Sequence, residues 1–409
     1  MNKKCEAAEV QAMWDGLVIG GGLAGIIAGI RALERGKKVM LVSEGTGSLV
    51  FSSGVLDFGK VEQLLKEENH PYALWGEAVA AAFSYFLQCC PSYQGAWGRT
   101  QTVLTPLGTL RAADLLPRGL DASPLLHASR IFLVVPEGLK DFFPEVVKAN
   151  LQKVFSSSTI QLKQLRLSKL ADWQAVGKSI PDTVYAKFWC SEKGRDSLRN
   201  WIVEMTQEMG SESGAVIFPG LHAAACSQVE EILAGVPWPV VAMTSFPPSA
   251  AGQALYHSLR ERFKILGGEL LLGSRVERVE VESGQARRAI VKSRGKEISF
   301  PAKKFVLATG GILGRGIAAS PGRVRETVLG LPLHVPGEWS GSRFLAEQPY
   351  AHTGVEVDHS LRPCDPVTGE ALLENVFVLG RMLAHWDPWV GHCGGGVSLT
   401  SGFLAGGLL

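Results

Sequence analysis

The amino-acid sequence predicts an α/β fold in which a nucleotide-binding domain holds an inserted α+β domain. The stretch from Asp15 to Glu44 reads as a strand, a glycine-rich turn, a helix and a second strand, which is one complete βαβ unit. Two stretches of the last third, F-V-L-A-T-G-G and N-V-F-V-L-G-R, read as buried strands that end in glycine. The middle of the chain matches this pattern least. We therefore predict a nucleotide-binding domain from residues 1–90 and 246–409 and an inserted capping or substrate domain at 91–245. Part of the capping domain could also lie near residues 320–360.

Composition excludes several classes of function. The chain has 409 residues, of which 46% are hydrophobic, and this is enough for the cores of two domains. A net charge of +2, without a basic run interleaved with aromatic residues, argues against nucleic-acid binding. The seven cysteines include no C-x-x-C pair, so we expect reduced thiols in the cytoplasm and no metal site. The first residues show no signal peptide, and the longest apolar run, Leu17 to Ile30, is too short to cross a bilayer.

The glycine turn of the βαβ unit has the G-x-G-x-x-G spacing of a phosphate-binding turn. Gly20 permits a tight turn, Gly22 lets a phosphate approach the backbone, and Gly25 lets the helix pack against the strand. Gly21 and Ala24 complete the turn and the helix start, and the helix runs to about Arg35. The second strand, Val39 to Val42, is followed by Ser43 and Glu44, where a ribose-binding residue is expected. Strand alternation would point these two side chains to opposite faces.

A loop of small and hydroxylic residues follows the second strand. Ser52, Ser53 and Gly54 would suit the surface and polar edge of a planar heteroaromatic ring. An ordinary flexible glycine–serine loop is the alternative. Next come helices between Val61 and Gln88, then a strand at Ile131 to Val135, an amphipathic helix, and a helix with charges on one face, S-E-K-G-R-D-S-L-R-N-W-I-V-E-M.

The last third returns to the nucleotide-binding pattern. A strand with alternating Val276, Val279 and Val281 and a charged hairpin precede an apolar strand, Phe305 to Leu307, which stops at Thr309, Gly310 and Gly311. Ligands bind at the carboxyl ends of parallel strands, so these residues are expected beside the glycine turn. Asn375 to Arg381 forms a further strand that ends in glycine. The run from Gly394 to Gly396 then opens an apolar helix, whose N-terminus would stabilise an anion.

Four motifs stand out: G-G-G-L-A-G, the S-S-G loop, F-V-L-A-T-G-G, and L-G-R with the following G-G-G-V-S-L. Together they resemble the two-domain flavoproteins related to fumarate reductase and succinate dehydrogenase flavoprotein subunits. The segments V-F-S-S-G-V-L-D, L-T-P-L-G-T, G-L-K-D-F-F-P-E and D-P-W-V-G-H-C-G-G-G-V resemble more closely the B-subunit family of the anaerobic glycerol-3-phosphate dehydrogenases. That resemblance implies a flavoprotein with FMN, working with a FAD-containing A subunit and an iron–sulfur C subunit. The complex would oxidise sn-glycerol 3-phosphate to dihydroxyacetone phosphate and pass electrons towards quinone. The chain would then be cytoplasmic and held at the inner face of the membrane through its partners.

The resemblance also implies a set of cofactor-binding residues. The glycine turn would hold the phosphate, Ser43 or Glu44 a ribose, Ser52 to Gly54 the ring, and Thr309 to Gly311 its surroundings. The ribityl chain and pyrimidine edge would be met by residues near the end of the chain: Gly380, Arg381, Gly395, Gly396, Val397 and Ser398. Serine in place of the usual ribose-binding acid suits FMN, although FAD stays open. No histidine between Ser43 and Phe58 resembles a flavin-attaching residue, so the flavin is expected to be non-covalent.

Catalytic residues are less well marked. His385, Asp387 and His392, together with Arg381, precede the last glycine turn and are our candidates for the open side of the ring. Structural hydrogen bonding within a loop is the alternative for the first three. Cys393 could be a redox thiol or a small buried residue. Two other functions also stay open, a stand-alone flavin oxidoreductase of the fumarate reductase type and a flavin-bearing structural subunit without turnover.

Overall fold

The computed structural model describes residues 13–166, 179–209, 213–221, 231–293, 296–343 and 345–409. They form two compact units. The first comprises the described residues of 1–47, 58–83 and 259–409, and the second those of 48–57 and 84–258. The domain limits predicted from the sequence, 1–90, 91–245 and 246–409, remain a proposal about independently folding domains.

The first unit is built on a mixed sheet that contains the βαβ unit. Its strands are β1 (Trp14–Ile19), β2 (Val39–Ser43), β11 (Glu269–Leu272), β12 (Arg275–Glu282), β13 (Gln285–Ser293), β14 (Lys296–Leu307) and β17 (Val376–Val378), with a separate hairpin of β15 (Ile317–Ser320) and β16 (Arg323–Glu326). The sheet order is β11-β2-β1-β14-β13-β12, and β17 pairs with β14. The pairings β11–β2, β2–β1, β1–β14 and β14–β17 are parallel, whereas β12, β13 and β14 form an antiparallel meander. The carboxyl ends of these five parallel strands therefore lie along one edge.

Several helices belong wholly or partly to this unit. They are α1 (Leu23–Glu34), α2 (Val61–Leu64), α3 (Pro71–Trp75), α4 (Ala78–Cys89), α8 (Ala250–Ile265) and α9 (Gly394–Leu408), and the division between the two units falls within α4 and α8. Helices α1 and α9 pack closely because glycines stand at the contact. A Cβ at Gly402 would lie 2.5 Å from the carbonyl oxygen of Ala24, and one at Gly406 would lie 2.6 Å from that of Ala28. Both helices are apolar on nearly every side, as expected for helices buried on more than one face.

The second unit has its own parallel sheet. Its elements are β3 (Tyr93–Gln94), β4 (Gln101–Leu104), β5 (Leu110–Ala113), β6 (Leu116–Pro117), β7 (Arg130–Pro136), α5 (Pro144–Val154), β8 (Thr159–Leu165), α6 (Asp182–Cys190), α7 (Glu192–Glu208), β9 (Gly214–Phe218) and β10 (Val240–Ala242). The order of the parallel sheet is β10-β9-β7-β8, and all three of its pairings are parallel. Two antiparallel pairs, β3 with β6 and β4 with β5, accompany it. An α+β arrangement was predicted here, and the described strands show in addition a parallel sheet connected through helices.

The predicted α/β fold with a Rossmann-like βαβ unit is confirmed. One detail of the strand pattern was wrong: Val276 and Val279 are buried, but Val281 is 44% exposed. Register shifts in the pairing of β12 with β13, between Val276 and Arg278 and again between Glu280 and Val281, break the simple alternation. None of the helices in the described ranges is long and apolar enough to cross a membrane.

Candidate functional site

Three of the four predicted motifs meet at the carboxyl edge of the parallel strands in the first unit. The backbone N–H of Ala308, just after β14, donates to the carbonyl of Ile19 at the end of β1, 2.8 Å away. The N–H of Leu379, just after β17, donates to the carbonyl of Leu307 at 3.0 Å. A Cβ at Gly380 would lie 3.1 Å from the Cβ of Ala24 in α1 and 3.7 Å from the hydroxyl of Ser398 in α9. The first turns of α1 and α9 therefore lie on either side of Gly380.

Glycine is needed at each position of the first turn for a different structural reason. Gly20 has φ +113° and passes so near β14 that a Cβ would lie 2.2 Å from the carbonyl oxygen of Ala308. A Cβ at Gly25 would lie 2.1 Å from the carbonyl oxygen of Gly20. By contrast, a Cβ at Gly22 would meet no heavy atom of the described chain within 4 Å. Gly22 begins α1 without a side-chain cap, so no cap side chain occupies the space beside the first N–H groups of the helix. This is the space that a phosphate would occupy.

Ser43 supports the glycine turn directly. Its buried hydroxyl accepts a hydrogen bond from the N–H of Gly21 at 2.9 Å and donates one to the carbonyl of Gly45 at 2.6 Å. Glu44 is exposed and lies 3.4 Å from Nη1 of Arg315. Ser43 is therefore buried and Glu44 is not, and the Ser43 hydroxyl keeps one lone pair at most for a ribose.

Two buried polar groups beside this turn lack hydrogen-bond partners among the described residues: Oγ1 of Thr309 and Nη1 of Arg381. Arg381 also donates from Nη2 to the carbonyl of Ala351, and its side chain lies against Gly311 and the ring of Trp386. Burial lowers the pKa of Arg381, an effect that the nearby Asp387 opposes. Gly310, with φ +78°, stands between Thr309 and Gly311 and allows the chain to turn back here.

The start of α9 is shaped by residues that pack beneath it. A Cβ at Gly396 would lie 1.9 Å from the hydroxyl of Tyr72, and Val397 is fully buried. Cys393 precedes the helix, with Sγ 3.7 Å from Nε2 of His70. Burial raises the pKa of the Cys393 thiol to about 12, so it stays protonated at neutral pH. This favours a small buried residue over a redox thiol. Like α1, α9 begins without a side-chain cap, and Gly395 lies in its open first turn.

The fourth motif lies in the second unit. The hydroxyl of Ser52 donates to the carbonyl of Leu49 at 2.7 Å and accepts from the N–H of Gly54 at 3.2 Å. Gly54 has φ +77°, and its carbonyl accepts from the hydroxyl of Tyr93 at 2.6 Å. Ser53 between them is half-buried. The loop is thus held in a defined turn by its own hydrogen bonds.

The catalytic candidates differ in their surroundings. Oδ1 of Asp387 accepts from the N–H groups of Trp389 and Val390 at 2.7 and 3.3 Å, which is a turn-forming role. His392 is exposed, and His385 pairs with Glu356, its Nε2 lying 3.0 Å from Oε1. Of the four, Arg381 is the one whose side chain lies against a glycine of another predicted motif, Gly311. Sequence reasoning missed His334 and Glu356, which the fold brings to His385, and no local pattern marks them.

These features fit a flavin nucleotide. The open space at Gly22 suits a phosphate, and the two unpaired buried groups, a hydroxyl and a guanidinium, suit the polar edge of an isoalloxazine ring. Positive charge near that edge stabilises the anionic reduced flavin.

Comparison with known proteins also indicates a flavin-binding protein. The chain matches the family described as FAD binding domain over residues 15–397. It is similar to the B subunit of the anaerobic glycerol-3-phosphate dehydrogenase of Yersinia enterocolitica, at 31% identity over 95% of this chain and 96% of that protein. The protein of the same name from Pectobacterium atrosepticum is 30% identical, again over 95% and 96%. The one from Actinobacillus pleuropneumoniae is 26% identical over 95% and 97%.

Proposed function

The chain belongs to the FAD binding domain family and to the family of anaerobic glycerol-3-phosphate dehydrogenase B subunits, and we propose that it is the flavin-carrying subunit of such a dehydrogenase. As a member it is a flavin-dependent oxidoreductase. The assembled enzyme oxidises the secondary alcohol of sn-glycerol 3-phosphate to the ketone of dihydroxyacetone phosphate, and two electrons leave through an iron–sulfur partner towards quinone. The A and C subunits are the proposed partners, and they hold the complex at the inner face of the membrane.

The observation that carries the proposal is the convergence of three glycine motifs around open space in the first unit. In our proposal the N–H groups that follow Gly22 bind the flavin phosphate, and Thr309 donates to the cofactor from its buried hydroxyl. Arg381 faces the pyrimidine edge with its unpaired Nη1, next to the start of α9. A flavin held there would supply hydride-level oxidation together with one-electron transfer to a partner. The side chains around it fix its position and its charge, and Arg381 is the group that favours the reduced form.

Of the two flavin nucleotides, we propose FAD as the cofactor. The family match favours FAD, whereas the engagement of Ser43 with Gly21 and Gly45 is the observation that favours FMN. His385, Asp387 and His392 stay predictions as catalytic residues.

The first experiment is to release the flavin from the purified chain with acid and to determine its mass. We expect one equivalent of FAD in the supernatant and none on the denatured protein, because binding is non-covalent. A mass of FMN would place only one phosphate at Gly22 and would show that Ser43 supports no adenosine site. A chain that contains no flavin, and takes up none on incubation with either form, would contradict the proposed function.

A further inference from the structure

Three partly buried side chains of the first unit bring their ligand atoms together from three separate segments. Nε2 of His385 lies 3.0 Å from Oε1 of Glu356, and Nδ1 of His334 lies 3.7 Å from the same oxygen. The ligand atoms of the three all lie within 4.8 Å of one another. Among the residues that the structure describes, no other group of three His, Cys, Asp or Glu side chains is so placed.

The backbone holds the three segments in register. The N–H of His334 donates to the carbonyl of Gly354 at 2.8 Å, and the N–H of His385 donates to that of His352 at 3.0 Å. The segments cross closely because Gly354 lacks a side chain: a Cβ there would lie 2.4 Å from the carbonyl carbon of Leu383. Backbone hydrogen bonds therefore help to set the positions of His334, Glu356 and His385, in addition to the contacts among their side chains.

Two further features point to a ligand. His385 has φ +66°, a left-handed conformation that a non-glycine residue adopts at a conformational cost, and such residues cluster at functional sites. The rings of His334 and His385 lie with their centroids 4.0 Å apart, on the same carboxylate.

We propose that His334, Glu356 and His385 form a binding site for Zn²⁺ or a similar first-row divalent cation. Two imidazole nitrogens and one carboxylate are a common ligand set for such ions, with bonds of about 2.0–2.2 Å. The atoms are close enough to reach these distances by small side-chain movements. The side chains are 31%, 29% and 24% exposed, so remaining coordination positions are open to water or to an oxygen ligand. This inference does not depend on the proposed function.

The test is a titration of the full chain, as purified, with Zn²⁺, followed by calorimetry and by metal analysis after dialysis. We expect one equivalent to bind, with affinity at least roughly tenfold weaker in each of H334Q, E356Q and H385N. Asparagine is chosen at 385 because it tolerates the left-handed conformation. The matched control is H352Q, because His352 makes a single pair with Glu347 at 3.1 Å, close in length to the His385–Glu356 pair. It should bind Zn²⁺ as the unchanged chain does.

A second measurement needs no variant. Zn²⁺ should shift the imidazole ¹⁵N resonances of two histidines at one equivalent, which keeps the proposal testable if a ligand variant fails to fold. Absence of stoichiometric binding, or equal affinity in the ligand variants and in H352Q, would show that the three residues form an ion-pair network without a metal.

Discussion

Gly22 and Gly25 belong to the same turn, but an added methyl group would meet very different surroundings. At Gly25 it would lie 2.1 Å from a backbone oxygen, whereas at Gly22 it would lie in the space proposed for the phosphate. Gly22 also has φ −77°, which alanine adopts without strain. We expect G22A to fold with the stability of the flavin-free parent chain and to lose flavin affinity by tenfold or more. G25A should be destabilised without any ligand, by roughly 1–3 kcal/mol.

The measurement compares the two variants by thermal unfolding of the flavin-free chains and by flavin titration. Because the parent chain and G22A are matched in stability, a loss of binding in G22A reports on the site alone. Normal flavin binding by G22A would place the phosphate elsewhere.

The protonation of His70 makes the stability of the folded chain depend on pH. Its side chain is 4% exposed, its Nδ1 accepts from the N–H of Tyr72 at 3.1 Å, and burial lowers its pKa from 6.5 to about 4. As the pH falls, His70 therefore becomes protonated in the unfolded chain at a higher pH than in the folded chain. The stability that neutral His70 provides is complete above pH 6.5 and is lost as the pH falls towards 4. Between pH 7 and pH 5 the loss should be about 2 kcal/mol.

Thermal unfolding of the parent chain and of H70Q across this range isolates the effect. Glutamine does not titrate, so the stability difference between the two proteins should shrink as the pH is lowered. A difference that stays constant from pH 7 to pH 5 would mean that His70 has the same pKa in the folded chain as in the unfolded chain.

At the scale of elements, α1 and α9 depend on the absence of side chains where they meet. A Cβ at Gly402 would lie 2.5 Å from the carbonyl oxygen of Ala24, so G402A must push the helices apart, at a cost of about 1–3 kcal/mol. Gly407 is the matched control on the same helix, because its Cβ would meet only the flexible end of Arg31, at 3.4 Å or more. G407A should be neutral or should stabilise by a few tenths of a kcal/mol.

Denaturant unfolding of both variants checks this, with the flavin content measured alongside. Since the first turns of the two helices lie on either side of Gly380, we expect G402A also to lose flavin affinity. Equal stability of G402A and G407A would show that the helices can separate at little cost.

The elements that sequence predicted well are those whose signal is local. Strand, turn and helix of the βαβ unit follow from residues within one short stretch, and the glycines stand where packing leaves no room for a side chain or where a ligand needs space. The hairpin and the strand Phe305 to Leu307 were predicted separately, but β14 is one strand that serves both the antiparallel meander and the parallel sheet. Alternation at Val281 failed because a register shift changes which side chains face inward.

What sequence could not predict depends on distant segments. His334 and Glu356 lie in stretches without periodic pattern and reach His385 only through backbone pairings formed on folding. The expectation of no metal site rested on cysteine spacing, which cannot report a site made of histidine and glutamate. In the same way Ser43 was considered for a ribose, although its hydroxyl is used by Gly21 and Gly45, a contact that exists only once the turn has closed.

At the scale of the whole molecule, the question is whether this chain turns over substrate alone. Its relatives are named as subunits, so we expect the isolated flavin-loaded chain to oxidise sn-glycerol 3-phosphate at least tenfold more slowly than an assembly with A and C subunits. The physical reason is that the flavin must be reoxidised each cycle, and the proposed iron–sulfur partner provides that route. The measurement is steady-state reduction of a quinone analogue by the chain alone and by the assembly.

The variant G22A makes this experiment decisive when it is prepared under conditions in which its measured flavin content is close to zero, because it is expected to fold and assemble normally. If the flavin of this chain carries electrons, the assembly built with G22A should lose most of its turnover while its composition stays the same. An assembly that remains fully active with G22A would assign this chain a structural role. Full turnover by the isolated chain would instead support a stand-alone oxidoreductase of the fumarate reductase type, for which fumarate is the substrate to assay next.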